Sequence, residues 1–206
     1  MKEFSFKTPH SAVYIARYEK EESLQLLESY RTGPEPKRFF RGKSPSYLLQ
    51  QAIKLDFLEK LEVQSLLEYT SQGKPQLKDG RFISISHSGN YIGVALSDSV
   101  PVGLDVQLYS DKPEKLLDKF AASNEREKMA ILRKNTLPVY LWSAKEAVYK
   151  AAGIPGLSFK RDIQVVFKNR LPAEALVIKE NTKKHYNLIA GKIDDLFIVL
   201  AEETRP

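Results

Sequence analysis

Four strand-like runs follow one another near the end of this chain, with no helical pattern between them. They occupy residues 162–167, 175–179, 186–190 and 196–201, and turn-forming residues separate each run from the next. Parallel strands need long crossover connections, whereas antiparallel strands are joined by short turns. The sequence therefore predicts an antiparallel meander in this part of the molecule.

The first half of the chain also combines short strands with helices. Strand patterns cover residues 11–17, 82–86, 91–96 and 102–106. Helical patterns cover residues 21–30, the segment after Ser44-Pro45, residues 114–133 in one or two pieces, and residues 141–152, which end at Gly153. We expect an α+β fold of two similar lobes, residues 1–104 and 105–206, each an antiparallel sheet packed with helices.

The composition excludes several classes of site. Of the 206 residues, 42% are hydrophobic and 28% are charged, as in ordinary globular proteins. There is no cysteine, so disulfides, thiolate nucleophiles and cysteine-bound zinc are excluded, and three histidines argue against a multi-histidine metal site. No apolar run reaches the length of a membrane span, and the first residues lack a secretory signal. We expect a soluble, cytoplasmic protein with no membrane partner.

The charge balance favours an anionic partner. Lysine and arginine outnumber aspartate and glutamate by 32 to 26, which gives a formal net charge of +6. This excess suits nucleic acid, a phosphorylated small molecule or an acidic protein surface. The densest basic segment, residues 31–43, includes Arg38 and leads into a helix N-terminus, where free N–H groups favour anions. It fits a phosphate site as well as it fits a solvated loop.

Two further stretches place polar side chains beside tight turns. Lys74 lies in a Gly-Lys-Pro sequence, and Ser86, His87 and Ser88 precede the turn at Gly89. A point charge, hydroxyls and an imidazole could together hold a phosphate. A lone histidine at a hairpin is more often structural.

Two acidic residues lie where their surroundings call for a partner. Asp105 lies in an apolar strand and shares a strand face with Gln107, so its carboxylate needs a cation or hydrogen-bond donors. Glu146 and Lys150 lie four apart on one helix face, with Lys145 beside them. This pair is compatible with a surface salt bridge or with a site for an anionic, metal-bound substrate.

Taken in order, these stretches resemble the 4′-phosphopantetheinyl transferase superfamily, specifically its longer surfactin-synthetase-activator (Sfp-like) type. That family shows a Gly-Lys-Pro loop, a Ser-His-Ser hairpin, a Gly-x-Asp-x-Glu strand and a Trp-x-x-Lys-Glu-x-x-x-Lys helix. In this chain the corresponding motifs are residues 73–75, 86–88, 103–107 and 142–150. The resemblance extends over roughly residues 35–165.

The resemblance implies an enzyme that transfers the phosphopantetheine arm of coenzyme A to a serine of an acyl or peptidyl carrier protein, releasing 3′,5′-ADP. It also implies a pseudo-twofold α+β fold, an active site between the lobes and dependence on magnesium. Carrier proteins are typically acidic, which fits the net charge of +6.

The resemblance also implies roles for individual residues. Asp105 and Glu146 would bind Mg²⁺, with Gln107 as a third ligand, and the ion would bind the pyrophosphate of coenzyme A. Glu146, or a water on the metal, would accept the proton of the attacking serine. Lys150 would steady the leaving phosphate. The phosphates of coenzyme A would be bound by Lys74, Ser86, His87, Lys145 and Arg38.

Gln107 departs from the family pattern, which has a glutamate at this position. An amide is a neutral and weaker metal ligand, but two carboxylates remain, so we expect activity. The main alternative is a catalytically impaired relative that binds coenzyme A or a carrier protein without turnover. A nucleic-acid-binding protein is the other alternative, but no helix-turn-helix or zinc motif supports it, and we expect no nucleic-acid partner. We expect a monomer, because a two-lobed chain can complete its own site.

Overall fold

The computed structural model describes residues 1–32, 44–132 and 136–204. A short 3₁₀ turn at Gln64–Leu66 precedes the third strand. In chain order the helices and strands are β1 (Lys2–Lys7), β2 (Ser11–Arg17), α1 (Lys20–Thr32), α2 (Pro45–Lys60), β3 (Leu67–Tyr69), β4 (Pro75–Leu77), β5 (Phe82–Ser88), β6 (Tyr91–Ser97), β7 (Val102–Leu108), α3 (Lys112–Lys115), α4 (Leu117–Phe120), α5 (Ser123–Leu132), α6 (Leu137–Ala152), β8 (Ile163–Lys168), β9 (Leu171–Lys179), β10 (Thr182–Ile193) and β11 (Leu196–Glu203).

Two antiparallel sheets form the centre of the fold. The first has the strand order β1-β2-β6-β5, and the second has the order β7-β11-β10-β9-β8. Strands β8 to β11 pair in sequence order, which confirms the predicted meander. The predicted lobe boundary between residues 104 and 105 falls inside β7, which pairs along its length with β11, so the chain passes from one sheet to the other before Val102.

The sheets and helices pack as four layers. Helices α1 and α2 cover the outer face of the four-stranded sheet, where Phe57 and Leu58 pack against Ile92 and Val94. The inner faces of the two sheets meet through a second apolar cluster, which joins residues of β2 and β6 to residues of β7 and β11. Helix α6 covers the far face of the five-stranded sheet. The mixed α+β class with antiparallel sheets is confirmed, and a pseudo-twofold relation between the halves stays a prediction.

Helix α6 is the longest buried element of the candidate site. It begins at Leu137, one residue before Pro138, and ends at Gly153, whose φ of +62° is the left-handed conformation predicted for a C-terminal glycine. The helix lies directly on β7 at Gly103, where a Cβ atom would come within 1.9 Å of the Ala147 carbonyl oxygen. This close approach places Glu146 and Lys150 of α6 near β7.

The segment predicted to be helical over residues 114–133 is divided among α3, α4 and α5. The chain is extended at Ala121, where φ is −93° and ψ is 132°. Glu125 stabilises the restart by accepting the Ala122 N–H at 2.8 Å. None of the helices in the described residues is long and apolar enough to cross a membrane.

Candidate active site

The motif residues meet where the edge of β7 lies between β5 and the last turns of α6. The ammonium group of Lys150 crosses this edge and donates hydrogen bonds to Ser86 Oγ at 3.0 Å, Leu104 O at 2.9 Å and Asp105 Oδ1 at 2.9 Å. Since an ammonium group has three hydrogens, Lys150 is saturated in this arrangement. The structure therefore joins three of the four sequence motifs at one point.

The Asp105 carboxylate is buried and only half satisfied. Its side chain is 9% exposed. Oδ1 accepts from Ser86 Oγ at 3.1 Å as well as from Lys150, whereas Oδ2 has no hydrogen-bond partner among the described residues. A buried carboxylate oxygen without a partner is costly, so this atom marks a position where a ligand would be favourable.

Glu146 lies close enough to Asp105 for their charges to interact. Burial raises the pKa of Glu146, the negative charge of Asp105 raises it further, and Lys150 opposes both effects. Asp105 of β7 and Glu146 of α6 therefore repel each other, and the ammonium group of Lys150 offsets this repulsion. A divalent cation between them would relieve the repulsion.

A cleft of about 410 Å³ adjoins Lys150. Its walls come from the Gly73-Lys74 loop, from β5 and from the end of α6, where Tyr149 and Gly153 line it. Lys74 reaches across to donate to Ala151 O at 3.3 Å, and burial lowers its pKa. Gly153 has no side chain to block this approach, since a Cβ there would be 2.8 Å from Lys74 Nζ.

The Ser-His-Ser residues differ in what they can still bind. Ser86 Oγ accepts from Val106 N and Lys150 Nζ and donates to Asp105, so its hydroxyl has no capacity left for a phosphate. His87 is exposed. Desolvation of its ring lowers its pKa, and Lys150 and Lys54 lower it further, which favours the neutral form.

Lys145 does not reach the site. Its ammonium group is completely buried on the other side of α6, where it bonds Glu125 Oε2 at 2.7 Å and two backbone carbonyls, Phe159 O and Ile163 O. Successive helical residues point about 100° apart, which separates Lys145 from the face that carries Glu146 and Lys150. Its predicted contact with coenzyme A is not available in this structure.

The remaining predicted residues have separate surroundings. Gln107 donates from Nε2 to Leu108 O at 2.9 Å and lines, with Trp142, a small cavity of about 150 Å³. Arg38 lies outside the described residues. A larger cavity of about 590 Å³, lined by His10, His185 and Glu202 among others, contains none of the motif residues.

Two contributors escaped the sequence analysis. No role is predicted for Ser84 from the sequence, and for Ser88 only a share in holding a phosphate with Ser86 and His87. Both accept backbone N–H groups of β7. The alternation Ser84-x-Ser86-x-Ser88 was the available signal, since alternate residues of a strand share one face.

Comparisons with known proteins agree on one family. Residues 101–201 match the ACPS model, which describes the 4′-phosphopantetheinyl transferase superfamily. A Synechocystis sp. (strain ATCC 27184 / PCC 6803 / Kazusa) protein, provisionally named a 4′-phosphopantetheinyl transferase, is 33% identical over 141 residues. That match covers 64% of this chain and 56% of the relative.

One solved structure is also similar. It is the Thermotoga maritima holo-[acyl-carrier-protein] synthase, at 24% identity and a TM-score of 0.40, covering 52% of this chain and 64% of that one. This chain thus spans less than two thirds of both relatives. Asp105, Glu146 and Lys150 all lie within the matched residues. Over residues 101–201, therefore, the chain is similar to the ACPS domain of the 4′-phosphopantetheinyl transferase superfamily.

Proposed function

We propose that this protein transfers the 4′-phosphopantetheine arm of coenzyme A to a serine of an apo acyl or peptidyl carrier protein, in the manner of the Sfp-like type. The observation that carries the proposal is the half-satisfied carboxylate of Asp105, which interacts with the charge of Glu146 and bonds Lys150. Lys150 in turn lines a cleft together with Lys74. The family match over residues 101–201 supports the same reaction.

The two acids fit a magnesium ion. Mg²⁺ is commonly bound through one or two carboxylates, with water and substrate phosphate oxygens completing its shell. Asp105 offers the unpartnered Oδ2, and Glu146 offers a second carboxylate whose charge is unfavourable without a cation. The described residues contain no group of three acidic or imidazole ligands, so phosphate oxygens would be needed. When bound, the ion would offset the negative charge of the pyrophosphate.

The cleft beside Lys150 fits the coenzyme A phosphates. Its volume of about 410 Å³ lies within the range of small-molecule sites. Among the described residues, the ammonium group of Lys74 donates a single hydrogen bond, to Ala151 O, so it retains donors for a phosphate. His87 is exposed on the adjoining strand and can donate a hydrogen bond while neutral.

The transfer requires a base and a fixed acidic pair. The carrier serine oxygen attacks the β-phosphorus, the bond from that phosphorus to the bridging oxygen breaks, and 3′,5′-ADP leaves. Glu146 accepts the serine proton as the general base. Lys150 holds Asp105 in place, and could contact the leaving phosphate only by giving up one of its three hydrogen bonds.

The net charge of +6 supports an acidic carrier protein as the partner. Attraction between opposite charges increases the rate at which two proteins associate, and salt screens that attraction. The association should therefore weaken as salt concentration rises. We propose that one copy of the chain suffices, because both carboxylates and both lysines come from the same molecule.

Intact-mass measurement tests the proposed function. Purified protein is mixed with Mg²⁺, coenzyme A and several apo carrier proteins, and at least one carrier should gain the mass of one phosphopantetheine arm. A carrier whose acceptor serine is replaced by alanine should gain nothing, and a chelator should stop the reaction. If no carrier gains mass although the protein binds coenzyme A, the impaired-relative alternative is correct instead. Gln107 is the residue that favours that alternative.

A further inference from the structure

Three serines of β5 bind the neighbouring edge of β7 through their side chains. We call Ser84, Ser86 and Ser88 the hydroxyl seam. Their hydroxyls accept the N–H groups of Leu104 at 2.8 Å, Val106 at 3.1 Å and Leu108 at 2.9 Å, respectively. The strands belong to different sheets, so these bonds stand where a backbone ladder would otherwise be.

The seam joins a strand face to a strand edge. Because Ser84, Ser86 and Ser88 alternate along β5, they share one face of that strand. Gly93 of β6 pairs with Ser86 of β5, and its lack of a side chain allows β7 to come close to this face. A Cβ at Gly93 would lie 2.9 Å from the side chains of both Leu104 and Val106. The close contact between the two sheets therefore depends on a glycine opposite the central serine.

Water cannot replace the bonds that Ser84 and Ser86 make to β7. Leu104 and Val106 are 0% and 1% exposed, so their N–H groups have no access to solvent. A buried N–H group left without an acceptor costs about 1–3 kcal/mol. The edge of β7 is therefore held in one register against β5.

Ser86 connects the seam to the candidate site. Its hydroxyl bonds the β7 backbone at Val106, the ammonium group of Lys150 and the carboxylate of Asp105. On the other edge of β7, Asp105 is held by its pairing with Val199 of β11. The position of the carboxylate is thus set from both sides of the strand.

We infer that the hydroxyl seam fixes Asp105 in position for the transfer reaction, and that Ser84 and Ser88 are positioning residues although their described bonds are to the β7 backbone. The inference rests on the proposed function. The seam keeps β7 in register, and the register keeps Asp105 within hydrogen-bond distance of Ser86 and Lys150.

Removing the two outer hydroxyls tests the inference. Ser88→Ala and the double variant Ser84→Ala/Ser88→Ala should lower kcat progressively, by about tenfold in the double variant, since a 1 Å misplacement can cost up to a hundredfold. In Ser88→Ala, KM for coenzyme A should stay within about twofold, because Ser88 does not line the cleft beside Lys74. Ser88→Thr keeps the hydroxyl and should restore most of the lost kcat.

Ser97→Ala is the matched control. Ser97 is a buried serine of β6 whose hydroxyl accepts two backbone N–H groups, those of Ser99 at 3.3 Å and Val100 at 3.2 Å, away from the site. Its removal should lower the melting temperature without changing kcat. An equal loss of kcat in Ser97→Ala and in the seam variants would show that the seam serines affect activity only through the stability of the fold. That result would overturn the inference.

A crystal structure of the double variant tests the role of the seam independently of the proposed function. The distance from Lys150 Nζ to Asp105 Oδ1, 2.9 Å in the native chain, should exceed hydrogen-bond range in the variant. An unchanged distance overturns the inference whatever the activity. If the native protein transfers nothing, the proposed function fails and this distance alone decides whether the seam positions Asp105. If the double variant does not fold, Ser88→Ala is judged by the same distance.

Discussion

Helix α6 carries two lysine–carboxylate pairs that differ in one respect. Lys145 and Glu125 are 0% and 2% exposed, and both Glu125 oxygens are bonded, Oε1 to Val165 N and Oε2 to Ala122 N and Lys145. Lys150 and Asp105 are 28% and 9% exposed, and one Asp105 oxygen is without a partner. All charged groups of the first pair have hydrogen-bond partners. In the second pair the lysine has all its partners, but one carboxylate oxygen has none.

The difference separates a structural pair from a functional one. A buried pair whose hydrogen-bonding groups are all used cannot bind a ligand. Lys145 and Glu125 can therefore act only by joining α6, α5 and β8. An open pair next to a second acid and a cleft leaves room for a cation and an anion. The number of unused lone pairs therefore distinguishes the two sites better than the charges involved.

The largest expected effect is on stability. Lys145→Met leaves the Glu125 carboxylate buried without its cation and should lower the free energy of unfolding by about 3–5 kcal/mol, measured by urea denaturation. Adding Glu125→Gln should recover much of that loss. Lys150→Met is the matched change in the open pair, and should cost less because Lys150 is partly exposed. Equal losses from the two lysine variants would show that the pairs do not differ as we describe.

The next effect is on transfer. Asp105→Ala should lower kcat by at least about a hundredfold, since it removes one of the two carboxylates proposed to hold the Mg²⁺ that offsets the charge of the pyrophosphate. The fold should persist, as judged by circular dichroism, because β7 keeps its pairing with β11. Glu125→Gln is the control from the closed pair and is compared at a temperature where it is folded. A rate like that of the native protein from Asp105→Ala would remove Asp105 from the site.

A smaller effect is expected in the pH dependence of stability. The pKa of Glu146 is raised in the folded protein, so its charged form destabilises the fold above that pKa. Without Mg²⁺, Glu146→Gln should therefore be more stable than the native protein at neutral pH. The advantage should shrink as pH falls through the raised pKa and vanish below about pH 4, where the acid is protonated in both states. Denaturation curves at several pH values measure it, and an advantage that persists in acid would contradict the shift.

The smallest expected effect is on the magnesium requirement, and it comes from Gln107, the residue that departs from the family pattern. Gln107→Glu should retain transfer and lower the magnesium concentration needed for half-maximal rate, because a carboxylate is a stronger ligand for Mg²⁺ than an amide. Gln164→Glu adds the same charge on the solvent side of β8 and should change nothing. Complete loss of transfer in a folded Gln107→Glu variant would contradict the placement of the metal.

The sequence predicted those features that depend on local spacing. The meander β8–β11, the C-terminal glycine of α6 and the shared face of Glu146 and Lys150 follow from periods of two and of three to four residues. The same periodicity could have excluded Lys145, since a neighbouring helical position points to another face. The motif resemblance had placed it with coenzyme A instead.

The remaining features depend on contacts between residues far apart in the chain. That Ser84 would lie opposite Leu104, or Ser86 opposite Asp105, depends on how two sheets pack, which no local pattern determines. The same holds for Glu125 as the partner of Lys145, since the two are joined through the packing of α5 against β8. Whether a polar group is saturated can be read only once all its neighbours are known.

Gly103 sets a mechanical limit on the whole arrangement. The strand that carries Asp105 and the helix that carries Glu146 touch backbone to backbone there, at a distance that leaves room for a hydrogen atom and not for a methyl group. Any larger residue would act as a wedge and spread the two acids apart together with their supports. The spacing of the acids is thus built into the main chain, and side-chain rotation alone cannot restore it once the wedge is in place.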